Sequence, residues 1–331
     1  MLSGKPTQQS NAITASDGVR DSYYDIPVIR APNWHWLAIV YLFVGGIAGG
    51  GYSIATLAQW FSSDRKLVQV GRYISLTAFL PSPILLILDL GRPDRFLHML
   101  RIIKLRSPHS LGSWALTLFS PFVGGLGVLQ LLGDVFGWNL WDRQRRIIAT
   151  LGMPVALFFS GYTGLLLAIT NIPVWARNSL LLAPTFFASA FSTALAAISG
   201  VLSITGTERP ETERALARAE CICIATELTL LTAGIVRLGK LGRPLTAGRY
   251  GRIFWPVTYI GGLLVPLLLN LEGPARGKEV SPARRRVTSL LVLTGGFGLR
   301  ATMMFAGHES ANRPEDYFEY TKLSHGSGND A

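Results

Sequence analysis

DLGRPDRFLHMLRIIKLRSPHSLGSW, residues 89–114, lies between two long apolar runs and concentrates the polar chemistry of this chain. Acidic, histidine and basic side chains are all packed into this single connection. The motif Leu-Gly-Arg-Pro, at 90–93, recurs at 241–244, again just after an apolar run. Short charged connections between apolar runs are typical of membrane proteins. We therefore interpret the rest of the chain as a scaffold that places this connection at one face of a membrane.

Composition favours a membrane protein over a soluble one. Hydrophobic residues make up 49% of the 331 residues and charged residues only 15%, and the mean hydropathy is +0.34. The net charge of +11 comes from Lys and Arg in short connections, which flank membrane helices, so we expect no nucleic-acid partner. Cys221 and Cys223 are the only cysteines, too few for an iron–sulfur cluster or a structural zinc. We expect no bound metal.

Eight apolar segments are each long enough to cross a bilayer, which takes roughly 20 helical residues. They predict an all-α integral membrane fold with eight transmembrane helices, arranged as two consecutive four-helix bundles. The predicted helices are 34–60, 67–90, 111–132, 147–169, 179–205, 215–237, 253–271 and 287–306.

The same pattern predicts four regions along the chain and a location in the cell (inner) membrane. An even number of spans puts both ends of the chain at one face, which we call the terminal face. Lys and Arg divide almost evenly between the two sides, so the positive-inside rule does not orient the protein. The regions are a polar arm at 1–33, a first bundle at 34–177, a second bundle at 178–306 and a polar tail at 307–331.

Helix direction brings distant polar residues together at the terminal face. His35, Asp89, Arg92 and Ser110 all fall at helix ends on that side, and Tyr41 and Tyr162 fall roughly 10 Å below it. Such groups suit a ligand with an apolar tail and two carbonyl oxygens. Simpler interpretations stay open. Pairing with Arg92 or Arg95 explains Asp89 equally well. An interfacial aromatic role explains His35, and packing in the core explains both tyrosines.

Histidine positions argue against an intrinsic haem. A bis-histidine haem needs two axial histidines facing each other inside the bundle. All five histidines of this chain fall at or outside predicted helix ends.

The second half carries charge inside its predicted helices. Glu227 and Arg300 fall at similar depths in helices that run in the same direction, so the two could pair. Glu220 lies one heptad before Glu227 on the same helix face. Ionisable residues inside a membrane are costly and often functional, so Glu220, Glu227 and Arg300 are candidates for a proton path. A structural ion pair explains Glu227 and Arg300 equally well.

The order and spacing of five stretches resemble the NrfD / polysulfide-reductase membrane-subunit family. The resemblance covers nearly the whole chain, and each stretch alone is weakly specific. The stretches are YYDIPVIRAPNWHW with YLFVGGIAGG (within 23–50), DLGRPDRFLHMLR (89–101), SPHSLGSW (107–114), GYTGLLLA with PVWAR (161–168 and 173–177) and GLRATMMFAGHESA (298–311).

The resemblance implies a quinone-reactive subunit of a respiratory oxidoreductase complex. Its first four helices would hold menaquinone or ubiquinone near one membrane face, where an extrinsic [4Fe-4S] ferredoxin-like subunit docks. That subunit would connect the quinone to a larger catalytic redox subunit, often a molybdopterin enzyme. By analogy, Tyr41 and Tyr162 would bind the quinone, with Asp89 and His35 handling protons. Some members of the family carry His at the position of Tyr41. The identity of the residue that donates a hydrogen bond to the quinone carbonyl therefore stays open.

The amphipathic segment 94–104 is expected to lie flat at the membrane interface. Its Arg95, His98, Arg101 and Lys104 are candidates for contact with a partner subunit. Two rival functions stay open. Kinked helices and the weak repeat would suit a secondary transporter, and a purely structural anchor would tether an enzyme without touching quinone.

Overall fold

In the computed structural model, the described residues are 29, 34–89, 101, 108–137, 141–207, 209–273, 276, 278 and 280–326, and within them the chain is helical, without a strand. Eight helical segments in this part of the chain are long and apolar enough to cross a membrane. The prediction of an all-α, multi-pass membrane fold is confirmed. These spans are Trp36–Phe61, Arg65–Asp89, Ser110–Phe136, Asp142–Ala168, Ser179–Thr205, Pro210–Thr246, Gly248–Glu272 and Pro282–Ala311.

The described residues form thirteen α-helices, of which Pro173–Arg177 and Pro314–Gly326 lie outside the spans, together with one 3-10 turn (Gly239–Gly242) and one π-helix (Phe254–Leu264). The α-helices are α1 (Trp36–Phe61), α2 (Arg65–Phe79), α3 (Pro81–Asp89), α4 (Pro108–Phe136), α5 (Asp142–Ala168), α6 (Pro173–Arg177), α7 (Ser179–Thr205), α8 (Pro210–Leu238), α9 (Arg243–Thr246), α10 (Gly248–Ile253), α11 (Val265–Glu272), α12 (Pro282–Ala311) and α13 (Pro314–Gly326).

The second span is divided into two helical segments where the sequence carries two prolines. Helix α2 ends at Phe79 and α3 begins at Pro81, because a proline ring blocks the hydrogen bond that would continue the helix. Leu80 still donates its backbone N–H to the carbonyl of Leu76 at 3.0 Å. The helix is therefore interrupted at Leu80, next to Pro81, although Leu80 keeps a helical backbone conformation, and two helical segments form one span.

Helix α1 lies at the centre of the structure because its middle, GGIAGGG at 45–51, lacks large side chains. A Cβ atom on Gly49 would lie 2.7 Å from the carbonyl oxygen of Ala156 in α5. A Cβ on Gly50 would lie 2.7 Å from the carbonyl oxygen of Ala190 in α7. Small residues allow membrane helices to pack backbone to backbone, and here they let α1 contact α5 and α7 at once.

At the terminal face, the start of the first span meets the end of the eighth. The ring of Trp34 stacks on that of Trp175 in α6, with centroids 5.6 Å apart. Trp175 donates its indole N–H to the carbonyl of Met303 in α12 at 3.1 Å. Its ring fills the space beside Gly307, where a Cβ would overlap a ring carbon. Both ends of the bundle therefore share one face, as an even number of spans predicts.

Apolar packing continues from the first half of the chain into the second. One buried cluster includes Leu42 and Phe119 as well as Leu299 and Met303. Its continuity shows that the two halves are packed together as one body. The boundaries at 34–177 and 178–306 remain predictions.

At the opposite face, Asp64 fastens the start of α2 to the start of α8. Its Oδ1 accepts hydrogen bonds from the backbone N–H groups of Lys66 at 2.9 Å and Leu67 at 3.3 Å, which caps α2. Its Oδ2 accepts a hydrogen bond from the hydroxyl of Thr212. Burial by itself raises the pKa of the Asp64 carboxyl, but the hydrogen bonds from Thr212, Leu67 and Lys66 outweigh it and hold the pKa below the ordinary value of 3.8.

We expect Asp64→Ala to lower the free energy of unfolding by about 1–2 kcal/mol, since it removes a helix cap and a bond between spans. The folded carboxyl titrates below the unfolded one. Its stabilisation is thus present above pH 3.8 and is lost as the pH falls through the lowered folded pKa. Thermal unfolding in detergent between neutral and acidic pH measures both effects. Ser63→Ala, at the exposed neighbouring position, serves as the control, and equal melting temperatures for both variants would contradict this role.

Candidate functional site

Two tyrosines from α1 and α5 meet below the terminal face, as helix direction predicts. Tyr41 and Tyr162 are each only 5% exposed. The ring of Tyr41 meets Phe159 edge to face, with centroids 6.5 Å apart. The hydroxyl of Tyr162 is hydrogen-bonded to the backbone of Gly112 in α4. A Cβ on Gly112 would overlap that hydroxyl oxygen, so only glycine leaves room for the contact.

The hydroxyl of Tyr41 is buried and has no hydrogen-bond partner among the described residues. A buried polar group without a partner costs about 1–3 kcal/mol. Core tyrosines normally avoid this cost, as Tyr52 does further along α1, where its hydroxyl donates to the carbonyl of Ile148 at 2.7 Å. The Tyr41 hydroxyl therefore has a hydrogen-bonding capacity that no described residue uses.

Aromatic rings form the floor of the site. Phe119 lies 5.3 Å from Phe159 and 5.4 Å from Phe79, measured between ring centroids. All three rings are buried and come from three different spans. Aromatic walls beneath two phenol groups suit a flat ring that carries polar oxygens at its edge.

The rim of the site is formed by helix ends at the terminal face. Asp89 is the last residue of α3, and Ser110 lies in the first turn of α4; both are half-buried. The carbonyl of Ser110 accepts a hydrogen bond from the hydroxyl of Ser113 at 3.0 Å. His35 precedes α1 as its N-terminal cap residue, and it is exposed. The rim therefore carries a half-buried carboxyl group and an exposed imidazole, whereas the two phenols lie buried below it.

Most of the expected partner surface lies outside the described residues. Arg101 is exposed, in keeping with a surface role. Arg92, Arg95, His98 and Lys104 lie in the part of the chain that is not described.

A second polar cluster lies in the middle of the membrane. Glu227 in α8 and Arg300 in α12 are each 1% exposed. Glu227 accepts a hydrogen bond from the hydroxyl of Ser192 at 2.8 Å, and Arg300 donates to the hydroxyl of Ser189 at 3.2 Å. The expected connection between the two charges is thus present, but two serines of α7 mediate it.

Arg300 also connects this cluster to the first span. Its Nε donates to the carbonyl of Leu42 at 3.3 Å, next to Tyr41 in the chain. Its guanidinium lies 5.5 Å from the ring centroid of Phe43 and 5.7 Å from that of Phe186. A Cβ on Gly46 would lie 2.7 Å from Nη2 of Arg300. A glycine of α1 therefore creates the space that the buried cation occupies.

Glu220 is 3% exposed and faces the side chain of Asn270 in α11. Sequence reasoning missed Asn270, the two serines of α7 and the neighbouring Glu213. One signal was available for Glu213: it continues the seven-residue spacing of Glu220 and Glu227. No pattern in the sequence marks the serines, since the chain has many such residues in its helices.

Comparison with known proteins gives consistent matches over most of the chain. Residues 30–310 match the family model described as "Polysulphide reductase, NrfD". The chain is 27% identical over 300 residues to the C subunit of polysulfide reductase from Wolinella succinogenes, covering 83% of this chain and 94% of the relative. It is 25% identical over 319 residues to the NrfD homolog of Haemophilus influenzae, covering 86% and 97%. Protein NrfD of Escherichia coli is 27% identical over 275 residues, covering 72% and 84%.

Replacing Tyr41 and replacing Tyr52 are expected to have opposite effects on stability. Tyr41→Phe removes a buried hydroxyl that has no partner among the described residues, so the melting temperature should stay the same or rise. Tyr52→Phe removes a hydroxyl bonded to Ile148 and leaves that carbonyl without this bond, at a cost of about 1–2 kcal/mol. Thermal unfolding in detergent compares the two variants. A clear loss of stability in Tyr41→Phe would show that its hydroxyl has a structural partner.

Proposed function

Because this chain belongs to the polysulphide reductase NrfD family, we propose that it is the quinone-reactive membrane subunit of a respiratory oxidoreductase complex. The observation that carries this proposal is the buried hydroxyl of Tyr41, which has no partner among the described residues. It lies near Tyr162 over an aromatic floor, at one face of a multi-pass membrane protein.

The residues of the site fit the head of a menaquinone or ubiquinone. A quinone ring is flat, carries two carbonyl oxygens and continues into an apolar tail. Tyr41 offers a hydroxyl donor, Tyr162 offers a second hydroxyl, and Phe159 offers a flat apolar wall. When bound, such a quinone takes up or gives back two electrons and two protons.

Each side chain has a role in this proposal that follows from its position. The hydroxyl groups of Tyr41 and Tyr162 orient the ring by hydrogen bonds to its oxygens, with Ser110 and Arg92 at the rim. The carboxyl group of Asp89 exchanges protons with the site, and the exposed imidazole of His35 exchanges them with water. A carboxyl and an imidazole suit this step because both groups can accept and release a proton.

Electrons would pass to or from an extrinsic [4Fe-4S] subunit at the terminal face, which connects to a larger catalytic redox subunit. The basic residues Arg95, His98, Arg101 and Lys104 would contact that subunit. Support comes from the exposure of Arg101 and from the position of the tyrosines near the same face.

Protons would also reach the site along side chains within the transmembrane helices. Glu220 and Glu227 form the candidate path, and Arg300 lies between Glu227 and the backbone of Leu42. An arginine stays charged at all physiological pH values and does not relay protons. In this proposal Arg300 positions Glu227 through Ser189, which bonds to both side chains, and carries no proton itself.

The quinone site is tested by conservative substitutions in the assembled complex. We expect Tyr41→Phe and Tyr162→Phe each to lower quinone-linked turnover about tenfold, the effect of losing one hydrogen bond of about 1.4 kcal/mol. Asp89→Asn should lower turnover by about tenfold or more, because an amide cannot exchange a proton. Turnover of the catalytic subunit with an artificial soluble electron carrier should not change. Tyr250→Phe, a half-buried tyrosine in the second half, is the matched control.

Full quinone-linked turnover in the Tyr162→Phe and Asp89→Asn variants would overturn the site assignment. If a variant loses turnover only with the soluble electron carrier, the defect lies in the catalytic subunit and not in the quinone site. Insensitivity of the complex to quinone-site inhibitors would favour a structural anchor, and solute uptake by this subunit alone in liposomes would favour a transporter.

Charge reversal tests the docking face. We expect Arg101→Glu to weaken co-purification of the extrinsic subunit, since it replaces an exposed cation by an anion at the terminal face. Arg65→Glu makes the same change at an exposed position on the opposite face and should leave co-purification unchanged. Equal recovery of the extrinsic subunit with both variants would exclude this surface.

A further inference from the structure

A groove of about 610 Å³ lies between α8 and the π-helix, in the second half of the chain. We call it the outer groove. Its lining runs from Leu228 to Arg237 on α8 and includes Tyr259 of the π-helix. Ala233 and Val236 in this lining are exposed, so the groove opens outwards, towards the lipid around the bundle. Its volume falls within the roughly 300–1,000 Å³ that is usual for ligand sites.

The groove exists because the π-helix is held closely on one side and more loosely on the other. Towards α12 the contact is backbone to backbone, since a Cβ on Gly262 would overlap the Cα atom of Gly295. Towards α8 the contact is made by side chains, with the hydroxyl oxygens of Tyr259 and Thr232 2.9 Å apart. The length of a tyrosine side chain therefore separates the two walls.

The outer groove has the depth of one leaflet of a bilayer. Leu228, at its inner end, follows Glu227, which lies in the middle of the membrane. Arg237, at its outer end, lies in the last turn of α8 at the terminal face. The nine residues between these ends rise about 14 Å along the helix. This is about half of the hydrocarbon thickness of a bilayer, which is roughly 30 Å.

Positive charge is concentrated at the outer end of the groove. The connection that includes α9 and α10, from 237 to 252, carries five Lys and Arg side chains and no Asp or Glu. All five are exposed, and none forms an ion pair within the part of the chain that the structure describes. Clusters of this kind beside membrane helices attract anionic lipid head groups. The five are Arg237, Lys240, Arg243, Arg249 and Arg252.

Each wall of the groove contributes one of these cations at the level of the membrane interface. Arg237 lines the groove directly, and Arg252 lies near the end of α10, which continues into the π-helix. Three residues later, the ring of Trp255 contacts that of Tyr259, with centroids 5.0 Å apart. The indole N–H of Trp255 donates to the carbonyl of Thr246 at 3.0 Å. Tryptophan is enriched where lipid head groups meet the hydrocarbon, which places both cations at head-group depth.

We infer that the outer groove binds one anionic phospholipid of the leaflet at the terminal face. Its phosphate pairs with Arg237 and Arg252, and one acyl chain lies along α8 from Val236 to Leu228. An apolar helix of another subunit would also fill the groove, but it would leave the cations without a counter-ion, which a phosphate supplies. The lipid site is separate from the tyrosine site in the first half of the chain, so the inference does not depend on quinone binding.

Selectivity between two lipids of equal shape tests this site. The full chain is purified in a neutral detergent, washed free of lipid, and given equal amounts of dioleoylphosphatidylglycerol and dioleoylphosphatidylcholine, which differ in the charge of the head group. Native mass spectrometry counts the lipids that each chain retains. We expect one phosphatidylglycerol per chain, favoured about tenfold over phosphatidylcholine. The preference should decrease with added salt, because salt screens charges at the surface.

Three variants and a control separate the phosphate contact from the acyl-chain contact. We expect Arg237→Gln to weaken retention of phosphatidylglycerol about fivefold, and Arg252→Gln to have a similar effect. Ala233→Trp fills the groove and should abolish retention of both lipids there. Arg214→Gln removes an exposed cation of the same helix at the opposite face and should bind as the wild type does. Both Arg237 and Arg252 are exposed, so their variants should keep the melting temperature of the lipid-free protein.

Equal retention of the two lipids by the wild type would overturn the inference, as would unchanged retention of phosphatidylglycerol in both Arg237→Gln and Arg252→Gln. Excess inorganic phosphate should not displace the lipid, since it lacks the acyl chain. Displacement would assign the cations to a free anion instead.

A photo-crosslinker identifies the occupant in the assembled complex. Val236 is 77% exposed, and a benzophenone amino acid at this position would lie in the outer groove. Irradiation of the complex in native membranes should give an adduct with the mass of an anionic phospholipid. An adduct with a protein subunit would show that a helix occupies the groove and would overturn the assignment to lipid.

Discussion

The structure depends on one helix that carries almost no side chains along its middle. Gly49 and Gly50 bring α1 to within backbone contact of α5 and α7, and Gly46 leaves the space that Arg300 fills. A methyl group at any of these positions would collide with backbone or with the buried cation. Because membrane helices gain little from burying apolar surface against each other, close packing and hydrogen bonds must hold them together. Helix α1 thereby fixes the positions of its neighbours.

The central position of α1 explains how aromatic and charged side chains are divided between the two halves of the chain. Phenol and benzene rings from α1, α4 and α5 gather near one face, whereas carboxyl groups of α8 gather towards the other. Arg300 lies between the two groups, because it bonds to the carbonyl of Leu42, which is next to Tyr41, and to Ser189, which also bonds to Glu227. A membrane interior tolerates such a charge only where dipoles and a counter-ion surround it. Arg300 thus lies at the junction of two environments that differ in polarity.

Sequence reasoning gives the fold and the depth of the site but not its contacts. The hydropathy pattern predicts the eight spans. The direction of each helix then predicts that Tyr41 lies near Tyr162 and that Glu227 lies near Arg300. The serines between Glu227 and Arg300, and the contact of Tyr162 with Gly112, depend on how each helix is rotated about its axis. Rotation is set by packing among spans far apart in the chain, and a single sequence does not encode it in a local pattern. The environment of the Tyr41 hydroxyl is likewise visible only when its neighbours are in place.

The indole of Trp175 has a consequence for biosynthesis. Its acceptor, the carbonyl of Met303, lies 128 residues later in the chain. At the usual rates of translation, that carbonyl is made on the order of ten seconds after Trp175. During this interval the tryptophan lacks its hydrogen bond and the wall beside Gly307. A chain that stalls before the eighth span therefore leaves the indole of Trp175 without the acceptor and the packing surface that the eighth span gives it in the complete protein.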